Sequence, residues 1–134
     1  MAEGKVAFEL VSPERLLLSE EVDMVEVPGE EGDFGVLTRH APLISTLRPG
    51  VIKVHDGGSV TQRIFVAGGF AEVTPSRCTV LAEEALPVGD IDRAAAERRL
   101  SNAKDDLLDA KDSFQREAAE RQITVAEEML KAAG

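Results

Sequence analysis

Tryptophan and tyrosine are absent, and five phenylalanines are the whole aromatic content. Few ring faces are left on which bases or sugars could stack. Positive charge is short as well: 15 Lys and Arg stand against 25 Asp and Glu, for a net charge of -10 and a pI near 4.6. Nucleic-acid binding by counterion release needs a surplus of cationic side chains, so no nucleic-acid partner and no polybasic membrane anchor is expected. The single cysteine, Cys78, cannot form an internal disulfide, which fits a reducing compartment. Uninterrupted apolar runs are only a few residues long, Leu16–Leu18 among them, against the ~20 that span a bilayer. The N-terminal MAEGKVAFELV lacks the basic start and apolar block of a signal peptide. A soluble, acidic, intracellular protein is expected.

What the chain does hold is enough to fold. Its 134 residues are 43% apolar and 30% charged, the size of one ordinary domain or two small ones. Proline and glycine are unevenly spread. All six prolines precede residue 88, and from Asp90 to Ala133 there is neither Pro nor Gly. Residues 1–90 carry a net charge of -8 and residues 91–134 a net charge of -2. Turn-formers punctuate strands, and their absence over a long stretch permits helices. The boundary falls at Pro87–Asp90, dividing a first domain, 1–88, from a second, 89–134.

In the first domain, strand-length apolar segments recur at Val6–Val11, Val22–Val27, Val51–His55, Val60–Val66, Phe70–Val73 and Cys78–Ala82. The phase change between Met24 and Val25 suggests a bulge or a strand buried on both faces. Pro28-Gly29 and Pro49-Gly50 suit type II turns, and Asp56-Gly57-Gly58 suits a hairpin. Many short antiparallel strands with such turns make a β-sandwich or barrel.

In the second domain, Ala96, Leu100, Ala103, Leu107, Ala110 and Phe114 step along one helical face, and Ala119, Ile123, Ala126, Leu130 and Ala133 along another. Asp90 or Asp92 can cap the first helix. The five-residue step from Phe114 to Ala119 slips the phase, and Asp112-Ser113 with Gln115 can end one helix and cap the next. A helical hairpin and a continuous bent helix both satisfy the pattern. The alanine-rich seam buries little, about 0.8 kcal/mol per methyl against ~1.5–3 for Leu or Ile, so a weakly cohesive unit is expected.

Catalytic constellations are missing. His40 and His55 lie in separate segments and in no metal-ligand spacing. Cys78 has no histidine partner and reads as a small buried hydrophobe. Gly29, Gly32 and Gly35 lack the Gly-Lys-Ser/Thr ending of a phosphate loop. Asp105, Asp106, Asp109 and Asp112 wrap a helix and do not space like a calcium loop. No enzyme activity, cofactor or metal is expected.

Two passages carry a likeness. VEVPGEEGDFGVLTRHAPLISTLRPG (Val25–Gly50) and FVAGGFAEV (Phe65–Val73), followed by LAEEA (Leu81–Ala85) and Asp90-Ile91-Asp92, resemble the conserved stretches of the ε subunit of bacterial F-type ATP synthases. The resemblance implies an N-terminal antiparallel β-sandwich of about ten strands and a C-terminal α-helical hairpin. It implies a non-catalytic rotor subunit of the central stalk, peripheral on the cytoplasmic face of the bacterial inner membrane. Its sandwich would bind the γ subunit and the c-ring, and its hairpin, when extended, would reach the catalytic α/β subunits as a regulatory element. The c-ring-facing loop would be Glu30–His40, with Glu31, Asp33, Arg39 and His40 as polar contacts. Some relatives bind ATP through Ile or Leu, Asp, two free positions, Arg and Ala. Here Asp92 is present, Ala95 takes the arginine position, and Arg93 stands about 200° around a helix from it. A nucleotide-responsive regulatory binding module is the alternative function.

Overall fold

A computed structural model describes residues 4–134. The chain divides into two compact units, Met1–Pro87 and Val88–Gly134.

The first unit contains eight strands among the described residues: β1 Val6–Val11, β2 Leu16–Val22, β3 Met24–Gly29, β4 Gly32–Val36, β5 Leu43–Thr46, β6 Gly50–Asp56, β7 Ser59–Val73 and β8 Arg77–Pro87. They pair in the order β2-β1-β8-β7-β6-β3-β4, with β5 on β7. All pairs are antiparallel except β1 with β8. The β-sandwich with a helical C-terminus expected from the sequence is present, with fewer and longer strands than the expected ten or so.

The reason for the difference lies in β7. Val60–Val66 and Phe70–Val73 are one strand, not two, joined through Gly68 (φ +74) and Gly69 (φ +101). Before the glycines, β7 pairs with β6; after them, with β5. The inward side changes with the partner. Ile64 and Val66 face the core at even positions, and Ala71 and Val73 face it at odd ones. Strand β8 shifts in step, from Cys78, Val80 and Ala82 to the half-buried Ala85. Both long strands therefore cross between layers together, and one continuous sheet encloses a single core. Val6, Phe8, Leu10, Val25, Val27, Ile52 and Val54 fill it, each at most 2% exposed. Burial of such a side chain contributes roughly 1.5–3 kcal/mol.

Three short strands carry too little alternation to stand out in the sequence: β2, β4 and β5. The expected strand Val22–Val27 is divided at Asp23, whose carboxylate accepts the Gly57 N–H at 2.9 Å. That break, not a bulge, produces the phase change at Met24-Val25. Pro28-Gly29 and Pro49-Gly50 are not type II turns. Pro28 and Gly29 are buried in β3, and Gly50 opens β6 without positive φ. Gly57 (φ +63) and Gly58 (φ +83) do form the expected hairpin, with Asp56 paired to Ser59.

In the second unit a 3-10 turn at Val88–Asp90 leads into α1, Arg93–Asp109, and then α2, Ser113–Ala133. Of the two open readings the hairpin is the one adopted. Ala110 leaves helical geometry with ψ 131, and the Asp112 carboxylate accepts the Gln115 N–H at 2.8 Å. The Gln115 side chain in turn accepts the Lys111 N–H at 2.9 Å. Asp92, not Asp90, caps α1. Ala96, Ala103, Ala119 and Ala126 are buried along the seam as their spacing required. Phe114 is not part of it: it belongs to the first turn of α2 and is 77% exposed.

A Cβ on Gly69 would stand 1.8 Å from the Leu81 carbonyl oxygen, which no side-chain adjustment relieves. Gly69→Ala should therefore cost more than about 3 kcal/mol in urea unfolding. Gly57→Ala, with open space around its Cβ, should cost only the left-handed strain of about 1–2 kcal/mol.

Candidate functional site

The segment singled out from sequence, Glu30–His40, is a turn, a strand and a second turn. β3 ends at buried Gly29, Glu30 and Glu31 form the exposed turn, and β4 returns through Asp33 and Phe34 to buried Val36. Glu31 is exposed and has no hydrogen-bond or ion-pair partner among the described residues. Asp33 is not free: it pairs with the Arg48 guanidinium. Phe34 lies over Gly29, where a Cβ would meet its ring at 2.9 Å, and its ring centroid is 6.5 Å from that of His40.

The second turn is held by backbone. Arg39 has positive φ (65°), rare for a non-glycine, and its N–H donates to the Pro75 carbonyl. The His40 N–H donates to the Leu37 carbonyl at 3.2 Å. His40 Nδ1 lies 2.7 Å from the Ala41 carbonyl oxygen. A carbonyl only accepts, so Nδ1 carries the proton in this contact, and Nε2 makes no hydrogen bond among the described residues. The structure thus ties Asp33 to Arg48 and His40 to Phe34. Among the described residues, no hydrogen bond or ion pair joins Glu31 or Asp33 to Arg39 or His40.

Sequence reading missed an apolar row on the outer sheet face. Strand register places Phe70 beside Leu81, Leu81 beside Val11, and Val11 beside Leu16. Phe70, Leu81 and Leu16 are 41%, 37% and 55% exposed, and Ile44 on β5 is 69% exposed. The flanking row runs Ile44, Glu72, Thr79, Glu9, Ser19, with Arg77 bridged to Glu9 at 3.6 Å. An apolar row with a polar rim is the pattern of a protein-docking face. One signal was available: Leu81 stands at an outward position between inward Val80 and Ala82.

Elsewhere on the sandwich, Lys5 bridges Asp23 at 3.2 Å and Asp56, and His55 Nε2 meets Glu26 at 2.9 Å. The Gly57 N–H, and after it Lys5, hold the Asp23 carboxyl below its ordinary 3.8. Burial pushes the Cys78 thiol up to about 12, so it remains protonated and inert.

In the helical unit the Asp92 carboxylate accepts the Ala95 N–H at 3.1 Å, which commits it to capping. Ala95 lines a shallow cleft of about 340 Å³ with Arg98, Arg99, Asn102, Asp106 and Gln122. Arg99 donates from Nε and a terminal nitrogen to the Gln122 amide oxygen at 3.1 and 2.9 Å. Arg93 reaches Glu97 at 3.7 Å and the Leu130 carbonyl at 3.5 Å.

A sandwich that presents polar turns and an apolar outer row, followed by a capped helix pair, has the build of a protein-binding module. Residues 5–88 match the family model described as ATP synthase, Delta/Epsilon chain, beta-sandwich domain. The chain is 58% identical to the ATP synthase epsilon chain of Paramagnetospirillum magneticum over 98% of both chains. It is 55% identical to that of Rhodospirillum rubrum over 93% of both. The chain belongs to the ATP synthase delta/epsilon chain family. Its fold is similar to a chain in the mitochondrial ATP synthase OSCP/F1/c-ring of Euglena gracilis, with TM-score 0.83 and 24% identity over 98% of this chain and 82% of that one. A second likeness is to the central stalk/c-ring of Tetrahymena thermophila mitochondrial ATP synthase, with TM-score 0.70 and 17% identity over the full length of both. Both likenesses are of fold.

The depressed Asp23 pKa has a definite sign. A carboxyl with a folded value below its unfolded one adds stability above pH 3.8, and that stability is lost as pH falls through the folded value. The urea midpoint should drop as pH is lowered through that window. Asp23→Asn should remove that part of the drop, which a pH series of urea titrations measures.

Proposed function

We propose that this chain is a non-catalytic rotor subunit of an F-type ATP synthase central stalk, coupling rotation of the c-ring to rotation of the γ subunit. The observation that carries this reading is the exposed row of Phe70, Leu81 and Leu16 on a sandwich of this family. The row is the γ-docking face, because its apolar residues gain most from a partner that excludes water. The turns of Glu30–His40 meet polar c-subunit loops, with Glu31 as an exposed acceptor, Arg39 supplying a cation and His40 as a further polar contact. Torque then passes through strands that share one core, so the load reaches packed side chains and not a flexible joint. The helical hairpin is regulatory and reaches the α/β subunits when extended. No helix is long and apolar enough to cross a membrane among the described residues. Attachment is through the complex, peripheral on the cytoplasmic face of the bacterial inner membrane.

Two measurements test this. Phe70→Asp with Leu81→Asp should leave the circular dichroism unchanged and weaken γ binding at least tenfold, the scale of losing a docking anchor. Binding retained by a folded double variant would remove the row from the γ contact. Charge reversal of Glu31 and Asp33 together should lower ATP-driven proton pumping more than ATP hydrolysis on the same membrane vesicles. Each exposed pair contributes at most about 1 kcal/mol, so the double change is the fair one. An unchanged pumping-to-hydrolysis ratio, with the subunit still bound, would exclude these carboxylates from coupling.

A further inference from the structure

The turn between β3 and β4 takes its positive φ at Gly32, just after its two central residues and not at them. Two-residue hairpin loops favour positive φ at one or both central positions, because that backbone twist matches the strands they join. Gly29 pairs with Gly32 across a loop of Glu30 and Glu31, and neither glutamate has positive φ. Gly32 takes φ +136 directly after them. The loop also crowds like charges, with Glu30, Glu31 and Asp33 inside four residues. These like charges repel one another within the turn, and contacts from outside the hairpin oppose that repulsion.

The hold comes from Thr46–Arg48. Gly29 bridges to Leu47, the Glu30 N–H donates to the Thr46 carbonyl at 2.9 Å, and the Arg48 N–H donates to the Pro28 carbonyl at 3.0 Å. Gly50 permits this approach, since a Cβ there would stand 2.9 Å from that of Pro28. The Arg48 guanidinium then reaches Asp33 with one terminal nitrogen, Nη2. The other, Nη1, is enclosed by protein and makes no hydrogen bond among the described residues. One terminal nitrogen is thus enclosed and the other paired, although the Arg48 side chain as a whole is 41% exposed.

We propose that Arg48 is a positioning residue for the partner-facing turn. By pairing with Asp33 it neutralises one of three crowded carboxylates and fixes the β3–β4 hairpin, so that Glu30 and Glu31, both exposed, are the carboxylates offered to a cationic partner surface. Arg48 acts through Asp33 and does not itself touch the partner. This rests on the reading that Glu30–His40 faces the c-ring.

Amide hydrogen exchange on the full-length subunit tests the clamp without the complex. Arg48→Gln and Asp33→Asn should each speed exchange of the Glu30 amide about fivefold, the scale of one exposed ion pair. The double variant should exchange no faster than either single one, and the Gly57 amide, bonded to Asp23, should not change. Unchanged Glu30 exchange, or single effects that multiply in the double variant, would overturn the proposal. On membrane vesicles, Arg48→Gln should lower the pumping-to-hydrolysis ratio in the same direction as the double reversal Glu30→Lys with Glu31→Lys. The exchanged pair, Asp33→Arg with Arg48→Asp, should restore it. A ratio that falls for that double reversal but not for Arg48→Gln also overturns the proposal. If neither changes the ratio while exchange behaves as expected, the clamp stands and the c-ring reading falls.

Discussion

The sandwich depends on one close approach of backbone to backbone. At Gly69 the β7 chain passes so near the Leu81 carbonyl that no side chain fits between them. Two successive positive φ values there reverse which parity of residue points inward. Without that reversal, a single strand of 15 residues would keep the same parity inward along its whole length. Ala71 and Val73 would then turn outward, and Phe70 and Glu72 would enter the core. The placement of Phe70 on the outer face, and with it the apolar row, is a direct product of the two glycines.

The helical unit is held by different means. Its buried seam is largely alanine, so packing contributes little per residue. Termini and cross-helix polar contacts carry a correspondingly larger share. Asp92 and Asp112 cap the two helices, Gln115 satisfies the Lys111 N–H, and Arg99 grips Gln122 across the seam. Arg93 reaches toward the far end of α2 at Leu130. In this chain Arg93, Arg99 and Asp92 are all engaged by protein groups, and Ala95 contributes no cation to the cleft.

Much of this architecture was legible in the sequence where a single residue type enforces the outcome. The loss of Gly and Pro after residue 90 marked the helical part, and Asp112 with Gln115 marked its break, because capping is local chemistry. Asp56-Gly57-Gly58 was legible for the same reason. What escaped was non-local. Pro28-Gly29 looks like a turn until tertiary pairing with Leu47 and Arg48 draws it into a strand. Nothing local in Gly68-Gly69 shows what the pair does; only the change of partner from β6 to β5 identifies it as a crossing between layers. The acidic loop was found as a segment, but its division of labour was not. Arg48 lies 15 residues from Asp33, and nothing local links them.

The parallel pairing of β1 with β8 bears on how the protein is made. Phe8 leaves the ribosome early, yet the strand position that completes its neighbourhood, Cys78, emerges some seventy residues later. At elongation rates of about 5–20 residues per second that is a wait of several seconds. Over this interval β1 can zip only with β2, its near neighbour in the chain, leaving one hydrogen-bonding edge and the side chains of Val6, Phe8 and Leu10 unsheltered. Closure of the sandwich is therefore a late event in synthesis, gated by the arrival of β8. A nascent chain stalled before Arg77 would leave that edge of β1 and its apolar side chains exposed.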